Sequence, residues 1–263
     1  MIPTGEIVRR LYGVVSREAG NLVVKDVRIG LSYAGVRLDN GRVGLAALLL
    51  HELPPGCSVF SHTHCHSRAG ENPVAGTLAG SRASSLLKYL VEGKNPLEKA
   101  LGIATANAIL SQEPFGDERD SLAIMGLTPE DRVVMIGLFT PMVPKIEATG
   151  AKLSIIERDP ARMKVPSPED REKNLRECTV AIITATTLLN DTLEETLNAL
   201  GNPRHVALLG PSTPLCPEIF RRTPVNHLGG SLVCDADKIM QIISEGGGTP
   251  AMRPCLRFVN VLL

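Results

Sequence analysis

The chain has 263 residues, 43% of them hydrophobic, and its 28 basic and 28 acidic side chains give a formal net charge of zero. That balance leaves no electrostatic footprint for nucleic acid or an anionic membrane, so small molecules or proteins are the expected partners. With no Trp, three Tyr and five Phe, the core must be built from Ala, Val, Ile and Leu, and the length suits two domains. The opening MIPTGEIVRR lacks the apolar core of a secretory signal, and the longest apolar run, Val43 to Leu50, is too short to span a bilayer. The expectation is a cytoplasmic protein without a membrane partner, for which homo-oligomerisation stays open.

From Glu6 to Glu18, Ile7, Leu11, Tyr12 and Val15 fall at helical spacing. Three strand-like segments follow, Leu22 to Ile29, Leu31 to Leu38 and Arg42 to Leu50, and the last two flank Asp39-Asn40-Gly41. Asn-Gly there predicts a type I′ hairpin with both central residues at positive φ. Leu78 to Val91 and Pro96 to Ser111 read as helices, the second capped by Asn95 with Pro96 in its first turn. This half is α+β, and a linker is expected between Gln112 and Pro129, dividing residues 1–115 from 125–263.

Beyond the linker the pattern alternates. Strands are predicted at Arg132 to Ile136, Leu153 to Glu157, Val180 to Thr184 and His205 to Leu209, with helices at Met142 to Thr149, Pro168 to Arg176, Asp191 to Leu200 and Asp235 to Ser244. Leu256 to Leu263 reads as an edge strand. Alternation of this kind means an α/β domain with a mainly parallel sheet and right-handed crossovers. Ligands of such sheets bind beyond the carboxyl ends of the strands, here the loop Gly137 to Pro144 and the strand end near Glu157.

Those strand ends are rich in hydroxyls and amides: Thr140 after the first, Thr184 with Asn190 and Thr192 after the third, Ser212 and Thr213 after the fourth. Gathered at one edge they would suit an anion or a ribose-phosphate; taken singly they are also common caps and turn formers. Glu157 lies twenty residues after Gly137, the offset of a ribose-gripping acid in dinucleotide folds. The loop, however, is G-L-F-T-P, in which Leu138, Phe139, Pro141 and Pro144 hinder the close backbone approach that a pyrophosphate needs. There is no classical NAD motif, although an adenosine-type cofactor stays open.

His62-Thr63-His64-Cys65-His66 is the second unusual feature. His62, His64 and His66 could share a transition metal, since imidazole suits Zn, Ni, Co or Cu; a solvated polar loop is the plainer alternative. The six cysteines (Cys57, Cys65, Cys178, Cys216, Cys234, Cys255) include no C-x-x-C pair, which argues for free, mostly buried thiols. His51, His205 and His227 read as isolated. No G-x-S-x-G, H-E-x-x-H or P-loop occurs, which weakens hydrolase and NTPase readings.

Several segments together resemble the bacterial and archaeal family of putative heavy-metal chelation proteins: Asn95 to Ala108, Gly137 to Lys145, Glu157 to Pro160, Thr184 to Glu194, Leu209 to Pro214 and Leu228 to Gly230. The resemblance implies an enolase N-terminal-like domain followed by a Rossmann-like domain, with a candidate site in the interdomain cleft. It would draw on Asn107, Thr140, Glu157, Thr184, Asn190, Thr192, Ser212 and Thr213. Three functions then compete: a metal-handling protein binding a small anionic or metal-associated ligand, an enzyme using an adenosine-containing cofactor (transferase or oxidoreductase), and a non-enzymatic ligand-sensing module.

Overall fold

Short β-branched runs bounded by Gly, Asn and Asp form the strands of two separate sheets, and the computed structural model describes them over residues 1–52, 76–111, 116–159, 162–163 and 166–263. The first part comprises α1 (Glu6–Ala19), β1 (Val24–Ile29), β2 (Tyr33–Leu38), β3 (Val43–Ala47), α2 (Ala83–Leu87), α3 (Tyr89–Glu92) and α4 (Pro96–Leu110). Then follow α5 (Ser121–Met125), β4 (Arg132–Ile136), α6 (Val143–Glu147), β5 (Lys152–Ile156), α7 (Pro168–Glu177) and β6 (Val180–Thr184). The chain closes with α8 (Leu193–Ala199), β7 (His205–Leu209), β8 (His227–Val233), α9 (Ala236–Ser244), α10 (Thr249–Met252) and β9 (Leu256–Leu262). An antiparallel sheet in the order β1-β2-β3 precedes a six-stranded sheet in the order β5-β4-β6-β7-β8-β9, the α+β then α/β class read from the sequence.

The chain divides into two compact units, each discontinuous. One is Val8–Glu113 with Ser231–Arg257, and the other is Met1–Ile7, Pro114–Gly230 and Phe258–Leu263. Within the first, the three-stranded sheet is covered on both faces. A Cβ added at Gly44 would lie 2.1 Å from the Ala104 carbonyl and 2.2 Å from the Ala108 amide, so β3 touches the backbone of α4. At Gly35 it would lie 2.8 Å from Ile243 and 2.9 Å from Met240, both on α9. Gly35 pairs with Leu45, the neighbour of Gly44 on β3, and successive residues of a strand face opposite ways. Hence α4 covers one face and α9 the other, which is why β2 and β3 are buried almost throughout. The sequence pattern assigned α9 to the alternating half; its packing puts it on β1 and β2 instead. Arg37 of β2 also pairs with Asp237 of α9 at 2.5 Å.

Helix α4 starts as its sequence predicts. Asn95 Oδ1 accepts from the Glu98 amide at 3.0 Å, and Glu98 Oε2 reaches back to the Lys94 amide at 2.6 Å. The hairpin turn differs from expectation. Only Gly41 has positive φ, at 87°, and its amide bonds the Leu38 carbonyl at 3.0 Å, so an ordinary turn ends in a left-handed glycine. Inside the expected linker, Asp120 caps the short α5 by accepting from the Leu122 amide at 2.8 Å.

Strands β4 to β8 all run parallel to one another. Strand β9 closes the sheet antiparallel to β8, since Leu263 donates to Asn226 and Cys234 to Cys255 at opposite ends of the pair. Val133, Met135, Val180, Ile182, Ala207 and Leu209 point to one face, against Met125 and Ile146.

The contact of Gly44 with α4 yields the first prediction. Gly44→Ala forces a methyl into helix backbone that cannot rotate away, and should cost roughly 3 kcal/mol. Denaturant unfolding against the parent chain measures it.

Candidate functional site at the carboxyl edge of the parallel sheet

The chain runs from β4 to β5 on one side and then places β6 on β4's other side, with β7 and β8 beyond it. Loops leaving β4 and β6 therefore diverge, and the carboxyl ends of those strands form the topological switch point where such sheets bind ligands. Gly137 follows β4 at φ 82°, and a Cβ there would stand 2.6 Å from Thr184 Cγ2, so Gly137 packs closely against the last residue of β6. Thr140, next on the first loop, is exposed and begins a single 3₁₀ turn.

Glu157, just past β5, is buried, with four donors around its carboxylate. Oε1 accepts from the Arg158 amide at 2.8 Å and the Asp159 amide at 3.2 Å; Oε2 accepts from the Leu138 amide at 3.1 Å and pairs with Arg162 Nη1 at 2.8 Å. A carboxylate offers about four lone-pair sites, so all are taken, and a ribose hydroxyl would have to displace one of these donors. Glu157 ties the loop after β4 to the loop after β5.

After β6, Thr184 Oγ1 lies 3.1 Å from Thr186 Oγ1, and the Thr184 carbonyl accepts from Thr187 Oγ1 at 2.7 Å. The Thr192 amide returns to the Thr187 carbonyl at 3.0 Å, and Thr192 Oγ1 donates to Asn190 Oδ1 at 2.7 Å. Asp191 between them has φ 58°, a left-handed conformation uncommon outside glycine. It adds a carboxylate to this edge that the sequence reading passed over, although Asn-Asp in a strand-end loop is a recognisable turn signal. After β7, Gly210 at φ 121° turns the chain, the Thr213 amide bonds the Gly210 carbonyl at 2.9 Å, and Ser212 and Thr213 are both buried.

Thr140, Glu157, Thr184, Asn190, Thr192, Ser212 and Thr213 thus share one edge of one sheet. Asn107 lies on α4 in the other unit, where its Nδ2 donates to the Leu45 carbonyl at 2.9 Å and fastens the helix to β3. His62, His64 and His66 lie outside the described residues, among which no group of three metal-ligating side chains gathers.

The opposite edge holds a second ion pair and two imidazoles. Asp131 accepts from Arg204 Nη2 at 2.7 Å, Arg204 Nε at 3.1 Å, Thr179 Oγ1 at 2.7 Å and the Thr128 amide at 2.9 Å. The Arg204 bond, helped by Thr179, holds its carboxyl well below the usual carboxylate range. His205 and His227, which read as isolated, meet here. Asn260 Nδ2 donates to the Asp117 carbonyl at 3.0 Å and the Arg119 carbonyl at 2.8 Å, so its Oδ1 must be the acceptor. That oxygen takes Ser121 Oγ at 2.6 Å and His227 Nε2 at 2.8 Å. Neutral His227 therefore carries its proton on Nε2, and its Nδ1 accepts from His205 Nε2 at 2.9 Å. Burial, with His227 and Arg204 adding to it, pushes His205 from 6.5 down to about 4, and burial lowers His227 also.

A family model described as "Putative heavy-metal chelation" matches residues 120–262, more than half of the chain, and a second with the same description matches residues 12–110. The chain belongs to this putative heavy-metal chelation family. An uncharacterized protein of Methanocaldococcus jannaschii is 29% identical over 245 residues, covering 89% of this chain and 88% of its relative. Two crystal structures of family proteins with unknown function share the fold. The one from Pyrococcus horikoshii has a TM-score of 0.80 at 19% identity, over 98% of this chain and 100% of that one. The one from Desulfitobacterium hafniense has a TM-score of 0.73 at 20% identity, over 97% and 100%.

For this member of the chelation family two outcomes follow. Glu157→Gln turns two acceptor positions into donors facing backbone amides and should destabilise the chain by about 1–3 kcal/mol, read from denaturant unfolding. The His205–His227 pair is neutral when folded and free to protonate when unfolded, so stability is complete above pH 6.5 and falls as pH drops towards 4. In the double variant His205→Gln, His227→Gln the gap in melting temperature from the parent should narrow over that window; parallel curves would show that the pair does not titrate with unfolding.

Proposed function

We propose that this chelation-family protein handles a metal ion in company with a small anionic ligand, held at the carboxyl edge of the six-stranded sheet. The observation that carries the reading is the switch point itself, where Gly137 after β4 packs against Thr184 at the end of β6 and the two strands release their polar loops in opposite directions. Thr140, Thr184, Asn190, Thr192, Ser212 and Thr213 bind the ligand, and Glu157 shapes the loop they face. His62, His64 and His66 are proposed separately as donors for a free metal ion, because imidazole suits Ni, Co, Zn and Cu. Family membership supports the metal, and the make-up of the loops supports the anion. No helix among the described residues is long and apolar enough to cross a membrane.

An adenosine cofactor is the competing ligand, and it requires Glu157 to give up one of its four donors. Calorimetry with NAD, NADP, S-adenosylmethionine and ATP separates the two readings.

The untagged protein, titrated with nickel and cobalt ions alone and as citrate complexes, tests the proposal. Thr184→Val, which keeps shape and removes the hydroxyl, should weaken binding of the citrate complex about tenfold or more, a cost of about 1.4 kcal/mol. Replacing His62, His64 and His66 together by alanine should abolish binding of the free ion. Affinities unchanged in both variants would remove the proposal.

A further inference from the structure

The candidate ligand residues at the carboxyl edge are neutral hydroxyls and amides, and Glu157 and Asp191 add only negative charge, so an anion held there needs a cation from the same edge. Arg162 supplies one. Its Nη1 pairs with Glu157 Oε2 at 2.8 Å and its Nη2 donates to the Leu138 carbonyl at 3.0 Å, which lays the guanidinium across the ends of β4 and β5. Leu138 follows Gly137, which packs against Thr184, and precedes Thr140 by two residues. A guanidinium carries five N–H donors in a planar fork. Two are used here and the side chain makes no other bond among the described residues, which leaves Nε and one hydrogen on each Nη. The side chain is 48% exposed, against 8% for that of Glu157. Glu157 does not cancel this cation alone, because three backbone amides share its charge. Lys145 and Arg171, on the helices that follow β4 and β5, are spent on Asp120 and Glu195.

We infer that Arg162 recognises the charge of the carboxyl-edge ligand, and that this ligand presents a carboxylate to the unspent side of the fork. The inference rests on the carboxyl-edge reading and names its class of anion. Phosphate is commonly held by the backbone amides of a loop or helix N-terminus. Here the amides of Leu138, Arg158 and Asp159 go to Glu157, the Phe139 amide faces Met135 Sδ at 3.4 Å, and Pro141 and Pro144 have none. A carboxylate asks less of the backbone, since two parallel N–H···O bonds from one guanidinium match its two oxygens. Glu157 and the Leu138 carbonyl fix the plane of that fork before a ligand arrives, so little side-chain freedom is lost on binding. The hydroxyls of the neighbouring loops are left for the rest of the ligand.

The test uses the untagged full chain, freed of metal with EDTA and dialysed, and titrated calorimetrically with citrate and, in a separate arm, with inorganic phosphate. The parent should bind citrate more tightly than phosphate. Arg162→Met should weaken citrate binding about tenfold or more. Arg162→Lys keeps a cation beside Glu157 and loses the fork, so it should recover the stability to denaturant lost in the methionine variant while its citrate affinity stays about fivefold below the parent. Arg171→Met, which removes a cation already paired with Glu195, should leave the affinity unchanged. Citrate binding equal to the parent in Arg162→Met or in Arg162→Lys overturns the inference, and so does tighter binding of phosphate than of citrate. Citrate binding that is lost in Thr184→Val and kept in Arg162→Met strikes the role of Arg162 alone, whereas a parent that binds neither anion removes the carboxyl-edge reading with it.

Discussion

Four donors converging on one buried carboxylate decide how the carboxyl edge of the parallel sheet is built. Glu157 takes the amides of Leu138, Arg158 and Asp159 and the Arg162 guanidinium, and in doing so fixes where β4 releases the chain. Gly137 can then turn at positive φ against Thr184 with no side chain between them. A loop with free backbone amides, like that of a dinucleotide site, would have bound phosphate there directly. Here the amide of Leu138 is committed to Glu157 and the loop carries two prolines, so recognition falls to side-chain hydroxyls and amides from several strands.

The two edges of the sheet divide the polar work between them. At the amino edge, Asp131, Arg204, His205, His227 and Asn260 are satisfied by one another in fixed orientations. These bonds hold strands in register and are costly to open, because Asp131, His227 and Asn260 are buried and would be left unpaired. At the carboxyl edge, apart from the bonds to Glu157, the loop after β6 is held by bonds between neutral groups close in sequence, such as Thr192 to Asn190 and Thr187 to Thr184. Neutral short-range bonds can be exchanged for a ligand at much lower cost, which suits this edge to binding.

Much of this was legible in the sequence wherever local signals decide. Strands β4, β6 and β7 begin and end where their β-branched runs do, and Asn95 caps α4 as its position implies. Strand β8 escaped notice because Gly229 and Gly230 dilute its pattern. Both glycines are there for packing: a Cβ would meet Leu209 at 2.5 Å from the first and Leu215 at 2.9 Å from the second. Helix α9 was recognisable as a helix, but its partner sheet is about two hundred residues away in sequence, where Gly30, Gly35 and the Arg37–Asp237 pair record the contact. The candidate ligand residues after β4 to β7 were found from their place at strand ends. Asn107 was grouped with them by resemblance, while its visible bond is to β3. The pairing His205–His227 had no local signal, since strand order alone creates it.

The central claim is that the carboxyl edge binds and the amino edge holds. Crystals grown from protein loaded with cobalt and citrate, with diffraction collected at the cobalt absorption edge, test it most directly. The account predicts an anomalous peak beside the loops that carry Thr140, Thr184, Thr192 and Ser212. A peak beside His205 and His227 at the amino edge, with the carboxyl-edge loops unchanged, would contradict it.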